Sequence, residues 1–186
     1  MECLGQDRRV VRFDVCEMEY RGPAVESSLA LIPFDESYYE RYKGLIDEGF
    51  YEMRRALGIQ PYDTYCDSLE EVMKHKENVF LLLEDDEVIG AVSCLKNEIE
   101  NVVVSPRCQR RDYGRKLMEF ALSHMQERGD SPIRLTVTQW NKAAIALYEK
   151  LGFEVTKETT VEGASTKDVN GTWSFEFTTT DGLSLR

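Results

Sequence analysis

Within the ten residues from Arg107 to Lys116 the chain sets five bases, Arg107, Arg110, Arg111, Arg115 and Lys116, against a single acid, Asp112. The whole chain carries 23 Lys and Arg against 34 Asp and Glu, a net charge of −11, so outside this window the balance falls to 18 against 33, or −15. Position matters as much as number. Val102-Val103-Val104 before Ser105-Pro106 reads as a strand that stops, and LMEFAL from Leu117 reads as the apolar face of a helix. The bases therefore sit where a helix begins. Such a start carries unsatisfied N–H groups and partial positive charge, and cations there are unfavourable unless an anion joins them. The pattern asks for an anionic ligand.

Other residues with chemical capacity are sparse. Glu98 and Glu100 occupy alternate positions of one strand and so share a face. Asn141 and Tyr148 lie seven residues apart, almost two helical turns, and project from nearly one side of a helix. His75 and His124 share no metal-ligand spacing; His124 recurs with Leu117, Phe120 and Ala121 as a core-edge residue, and His75 reads as exposed. Cys3, Cys16, Cys66, Cys94 and Cys108 are odd in number and form no CxxC pair, which points to reduced thiols and no metal site. GxxxxGK and GxGxxG are both absent.

The elements that must position these groups follow from periodicity and caps. Residues 9–20 read as a strand of unassigned partner, and SLALIPF from Ser28 as a second strand. Asp35 caps a long helical stretch ending near Leu57 and Gly58; Ser68 and Glu71 have the spacing of a capping box. VFLLLE, VIGAVSCL and EIENVVV make three consecutive antiparallel strands around turns at 84–87 and 96–97. A helix from about Tyr113 to Arg128, the strand IRLTVT and a helix from Asn141 to Gly152 come next. FEVTKETTV and TWSFEFTTT close the chain as a hairpin around a polar loop expected from about Glu162 to Asn170.

A chain of 186 residues with 42% hydrophobic and 31% charged residues is ordinary for one globular core. The division expected is an N-terminal extension at 1–27, contributing an extra strand, and a main domain at 28–186. No apolar block resembles a signal peptide or spans a bilayer, so a cytoplasmic protein with no membrane partner is expected. The acidic balance repels nucleic acid and attracts cationic substrates.

The stretch Gln109-Arg110-Arg111-Asp112-Tyr113-Gly114 after a strand resembles the signature of the GNAT acetyltransferase superfamily: Gln or Arg, two residues, Gly, one residue, then Gly or Ala. The segment WNKAAIALYEKLGFE, Trp140 to Glu154, resembles that family's second motif, an Asn, a helix, Leu-Tyr and Gly-Phe. The likeness is densest from Glu98 to Glu154, thinner from Ser28 to the C-terminus, and absent from roughly the first 25 residues. Asp112 departs from it, standing where the first Gly belongs. The resemblance implies a mixed α/β fold, with a central twisted, mostly antiparallel sheet, a splayed parallel strand pair and flanking helices.

It also implies site roles. The backbone of Arg110 to Arg115 would face the diphosphate of acetyl coenzyme A, a cosubstrate, with Gly114 allowing close approach. Val102, Val103 and Val104 would pair through their backbone with the pantetheine arm. Asn141 would contact that arm, or cap its helix, and Tyr148 would give a proton to the departing sulfur. The tyrosine's ordinary pKa of about 10, above the roughly 8.5 of a thiol, is read as making that transfer downhill.

An amine with a pKa near 10.4 is neutral in only about one molecule in a thousand near pH 7.4, a penalty of about 4 kcal/mol. Glu98 or Glu100 could accept its proton, and Glu98 occupies the place of a catalytic Glu in some histone-type relatives. Ribosomal-protein-type relatives carry their base five residues before the Asn, where this chain has Thr136. Asp112 beside a diphosphate would repel it, unless an arginine neutralises the carboxylate, and could also cap the helix and compete for its N–H groups. Tyr38, Tyr39, Tyr42, Phe50, Tyr51, Tyr62 and Tyr65 either line an acid-rimmed acceptor pocket or pack the core. The reading is direct acetyl transfer to a primary amine of a small cationic molecule, with a homodimer left open. A protein N-terminal or lysine acetyltransferase and a noncatalytic coenzyme A sensor are the alternatives.

Overall fold

The structure, a computed structural model, describes residues 7–167, 173–179 and 184–185. Its strands are β1 (Asp7–Tyr20), β2 (Ile32–Pro33), β3 (Val79–Glu84), β4 (Glu87–Leu95), β5 (Glu98–Val104), β6 (Arg134–Thr138), β7 (Phe153–Lys167), β8 (Trp173–Thr179) and β9 (Ser184–Leu185). The helices are α1 (Tyr39–Leu57), α2 (Leu69–Met73), α3 (Tyr113–Arg128) and α4 (Lys142–Leu151). One sheet runs β2-β3-β4-β5-β6-β1-β7-β8-β9, and its one parallel pair is β5 with β6.

Local chemistry sets the element ends. Asp35 accepts the N–H of Ser37 and starts a 3-10 turn over Glu36–Tyr38 that leads into α1. The Ser68 hydroxyl accepts the N–H of Glu71 and opens α2, as the capping-box spacing predicts. Asp85 and Asp86, at φ 50 and 64, make the tight left-handed turn between β3 and β4. Two apolar layers enclose the sheet. On one face α3 and α4 bury Leu117, Met118, Leu122, Met125 and Tyr148 over Cys16, Met18, Val92, Cys94 and Leu135. On the other, α1 and α2 bury Tyr42, Leu45, Ile46 and Val72 over Leu81, Val88, Ala91 and Val103. A Cβ on Gly49 would come within 2.4 Å of Val103 Cγ1, so glycine there lets α1 lie close on β5.

Two sequence expectations need correction. The stretch from Ser28 is not a strand until Ile32: in residues 21–31 Val25 N donates to Gln126 of α3 and Val25, Leu29 and Leu31 pack on the α3–α4 core, and only Ile32–Pro33 joins the sheet, beside β3. The polar loop expected from Glu162 begins later, because Glu162 to Lys167 continue β7 and pair with both β1 and β8; its remainder, 168–170, lies outside the described residues.

The 9–20 strand finds its partners far along the chain. β1 inserts between β6 and β7, antiparallel to both, and delivers Val15, Cys16 and Met18 to the buried interior. Met18 is 0% exposed and Val10 is 74% exposed on the same strand. Met18→Ala should therefore cost about 2–5 kcal/mol in denaturant unfolding, against less than about 0.5 kcal/mol for Val10→Ala. Near-equal effects would mean that β1 does not sit in the sheet.

Candidate active site

The strand β5 ends at Ser105, whose N–H donates to Ile89 O at 2.8 Å, and a single 3-10 turn, Pro106–Cys108, leads to the basic loop. Cys108 N donates to Ser105 O at 2.8 Å, and Lys116 N to Asp112 O at 3.1 Å. Between them, the N–H groups from Gln109 through Arg115 have no protein acceptor among the described residues. Arg110 and Asp112 hold left-handed backbone, φ 61 and 67, the kind of conformation from which anion-binding nests of backbone amides are built. A Cβ on Gly114 would rest 3.7 Å from Leu147, an ordinary contact, so packing within the chain does not require glycine there. The loop side chains are exposed, and Arg107 and Arg110 have no carboxylate partner among the described residues.

Asp112 does not cap α3: its side chain takes none of the helix N–H groups. Arg115 holds it instead, with Nε 2.9 Å from both carboxylate oxygens, while Arg115 Nη1 lies 2.5 Å from Glu119. The hydrogen bond from Arg115 lowers the Asp112 pKa, and Asp112 in turn raises that of Arg115. The expected neutralisation of Asp112 therefore falls to Arg115, and the expected competition for helix N–H groups does not occur. Glu84 is a further acid on this loop, accepting from the Tyr113 hydroxyl at 3.2 Å and lying 3.8 Å from Arg111. Gln109 turns back to donate to Val104 O at 3.3 Å.

β5 and β6 part beside the loop, sharing one register pair, Glu98↔Arg134, and none beyond it. β6 continues to Thr138 paired with β1, while Val103 and Val104 pair with β4 on their other side. A bulge with Asn101 at φ 50 shifts the β4–β5 register, so that Ile99, Val102 and Val104 all face the α3–α4 layer. Asn141 caps α4 by accepting the N–H of Ala144 at 3.1 Å. Tyr148 is 9% exposed, packs 6.0 Å from the Phe153 ring, and its hydroxyl meets no hydrogen-bond partner among the described residues. Burial pushes its pKa up to about 12. The group with the higher pKa is the weaker acid, so transfer to a free thiolate is uphill by roughly 5 kcal/mol, the reverse of the downhill step expected from sequence. Tyr148 suits a hydrogen-bond donor to a developing negative charge.

The opposite face of β5 carries Glu98 and Glu100, both exposed. Glu98 lies opposite Arg134, whose Nε is 3.1 Å from Glu19, and Glu100 lies close enough to Tyr65 to raise its pKa, behind the larger effect of burial. Asp47 pins the loop that carries Tyr65, accepting the N–H groups of Tyr65 at 2.6 Å and Cys66 at 2.7 Å. Asp47, Glu48, Tyr51, Glu52, Asp63 and Pro106 line a cavity of about 440 Å³ at the end of β5. Of the aromatic residues of this region, Tyr42 is core, Tyr38, Tyr39 and Phe50 pack against it, and Tyr51 lines the cavity. His124 sits at the core edge, 4.7 Å from the Phe80 ring, with its pKa lowered by burial.

Residues 43–153, more than half of the chain, match the model of the acetyltransferase (GNAT) family. The chain belongs to the GNAT acetyltransferase family. It is 45% identical over 53 residues to the ribosomal protein bS18-alanine N-acetyltransferase of Escherichia coli K12, covering 28% of this chain and 36% of that protein. It is 29% identical over 136 residues to the mycothiol acetyltransferase of Corynebacterium glutamicum, covering 70% of this chain and 44% of that protein. It thus spans less than half the length of either curated relative. Among solved structures, a GNAT acetyltransferase from Novosphingobium aromaticivorans superposes with a TM-score of 0.61 at 21% identity, covering 86% of this chain and 66% of that one. The mixed sheet with its splayed parallel pair is thus the GNAT fold.

Within this GNAT domain the basic loop follows the end of β5 where it has parted from β6, Val102 and Val104 face the α3–α4 layer, and Glu98 and Glu100 lie on the other face of β5. Sequence reasoning missed Glu84 and Asp47 because each acts on a segment distant in the chain; no local spacing announces either contact. The geometry around Asp112 yields a directed expectation. Asp112→Gly removes a negative charge, relaxes the left-handed residue and frees Arg115, so acetyl coenzyme A should bind several-fold more tightly by calorimetry at fixed salt. Asp112→Asn, which also tolerates that backbone, should follow the same direction. Weaker binding by both would mean that the Asp112–Arg115 pair organises the loop for the ligand.

Proposed function

We propose that the protein transfers the acetyl group of acetyl coenzyme A directly to a primary amine of a small cationic molecule. The observation that carries the coenzyme part is the run of unpaired N–H groups from Gln109 to Arg115 at the mouth of the β5–β6 cleft. Diphosphate oxygens would accept from those amides, Arg107 and Arg110 would add charge, and the free edge of Val102–Val104 would hydrogen-bond the pantetheine arm as an added strand. Asn141 and Gly114 would border the bound coenzyme. The cavity lined by Asp47, Glu48, Glu52 and Asp63 supports a cationic acceptor, since it concentrates positive charge beside the end of β5.

In this reading the amine nitrogen attacks the thioester carbonyl carbon, the C–S bond breaks, and the acetyl group leaves on nitrogen. Glu98, at the start of β5 on the face away from the α3–α4 layer, takes the amine proton through intervening water. Tyr148 donates a hydrogen bond to the sulfur as negative charge gathers there, a role its raised pKa favours because it stays protonated. The sulfur's final proton comes from solvent or from the amine by relay. No covalent acetyl-enzyme forms.

Thiol release from acetyl coenzyme A across a panel of diamines, neutral-tailed amines and peptides tests the assignment. Small cationic amines should be turned over fastest, and turnover of peptides alone would contradict the acceptor class. With the best amine, Tyr148→Phe should lower kcat roughly 10²-fold with acetyl coenzyme A binding unchanged. Glu98→Gln should move the rise of activity toward the amine's own pKa, near 10.4, and Glu100→Gln should not. An unchanged profile in Glu98→Gln removes that residue from proton transfer.

A further inference from the structure

β6 runs through the middle of the nine-stranded sheet, between β5 and β1, yet its face away from α3 and α4 is open. Arg134 and Thr136 are exposed there, beside the exposed Glu98 and Glu100 of β5, whereas Leu135 and Val137 of the same strand are buried in the α3–α4 layer. A central strand with one uncovered face leaves a polar floor where β5 and β6 part.

The N-terminal strand forms the far side of this floor. Glu17 of β1 pairs with Thr136 on one flank and with Lys157 of β7 on the other, and Glu19 pairs with Arg134 and Glu154. Cys16 and Met18 point into the α3–α4 core, so both glutamates stand on the open face. They are engaged differently. Glu19 is held by Arg21 at 2.7 Å and Arg134 at 3.1 Å, with its side chain 10% exposed. Glu17 faces Lys157 Nζ at 3.7 Å, and both side chains are 41% exposed. A bulge falls at this place: the β1–β7 register shifts between Glu17 and Met18, Thr156 is the extra residue, and its hydroxyl donates to Glu17 O at 3.2 Å. Bulges of this kind bend a strand and re-aim its side chains.

Counting two residues along the parallel pair from Glu98↔Arg134 sets Glu100 level with Thr136, and antiparallel pairing carries that level on to Glu17 and Lys157. Two carboxylates thus flank an uncharged residue at the level where the strands have just parted. The ammonium of Lys157 has the chemistry of a protonated primary amine, and Glu17 can exchange it at small cost because the pair is exposed.

We propose that Glu17 determines acceptor specificity by binding the second, non-reacting ammonium of a diamine whose other nitrogen attacks where β5 and β6 part, with Lys157 giving way to it. The inference deepens the reading of a small cationic acceptor and rests on it. β1 lies about 5 Å beyond β6, a span that a short methylene chain crosses. The preference is assigned to a strand outside residues 43–153, which match the family. Glu17, Glu19, Glu98 and Glu100 face Arg21, Arg134 and Lys157 across the floor, so loss of Lys157 makes it more attractive to a cation.

Coenzyme A release by the full chain, read as kcat/KM at fixed acetyl coenzyme A, is compared for diaminobutane against aminobutane and for diaminopentane against aminopentane, each pair differing only in the second amine. The parent should favour the diamine of at least one pair, and Glu17→Gln should lower that preference by about threefold to tenfold, through KM and not kcat. Lys157→Ala should raise the preference in the parent but not on top of Glu17→Gln. A parent that favours neither diamine, a preference that Glu17→Gln leaves intact, or an equal rise from Lys157→Ala in both backgrounds overturns this inference alone. A parent that acetylates no small amine overturns the acceptor reading with it.

Discussion

Every element of the candidate site answers to one constraint, the parting of β5 from β6 after a single register pair. A strand edge left unpaired in the middle of a sheet must satisfy its N–H and C=O groups by other means. The two strands can part because each is held firmly on its far side, β5 by β4 and β6 by β1. Both helices that follow them, α3 and α4, start at the open end and anchor on the same apolar layer. The cleft is thus a product of good packing elsewhere. β1 has a large part in this, because it joins β6 to β7 and carries Cys16 and Met18 into the core.

Electrostatics then sharpen what the backbone opens. An acidic chain concentrates its bases at the cleft mouth, yet several are already engaged by its own acids: Arg115 with Asp112 and Glu119, Arg111 near Glu84. These pairs are exposed and individually weak, so an incoming phosphate can exchange with them at small cost. They also keep a dense cationic patch compatible with a helix start. On the other side of β5 the acids around the α1 cavity reverse the sign of the field. The two faces of β5 therefore carry fields of opposite sign.

Much of this was legible from sequence where the signal was local. The helix limits at Tyr113, Arg128, Asn141 and Gly152 follow from caps and apolar period, and the three-strand meander follows from its turns. What escaped was long-range. Nothing in residues 9–20 reveals that their partners are β6 and β7, more than a hundred residues away. The alternation of SLALIPF suits a strand, but its leucines pack on the α3–α4 core, so tertiary contact decided the matter. Glu162 to Lys167 read as loop because they are small and polar, although paired strands on both sides keep them extended. At the site, the motif residues were legible, whereas the clamp of Arg115 on Asp112 needed a conformation.

The central claim is that one ligand uses both the free edge of β5 and the amides of the basic loop. Amide hydrogen exchange of the full chain, with and without acetyl coenzyme A, measures this directly. The amides of Val102, Val104 and 110–115 should exchange fast in the free protein and become protected together on binding, with α1 and β3 unchanged. Protection of the loop without the strand, or of neither while the ligand is bound, would contradict the account.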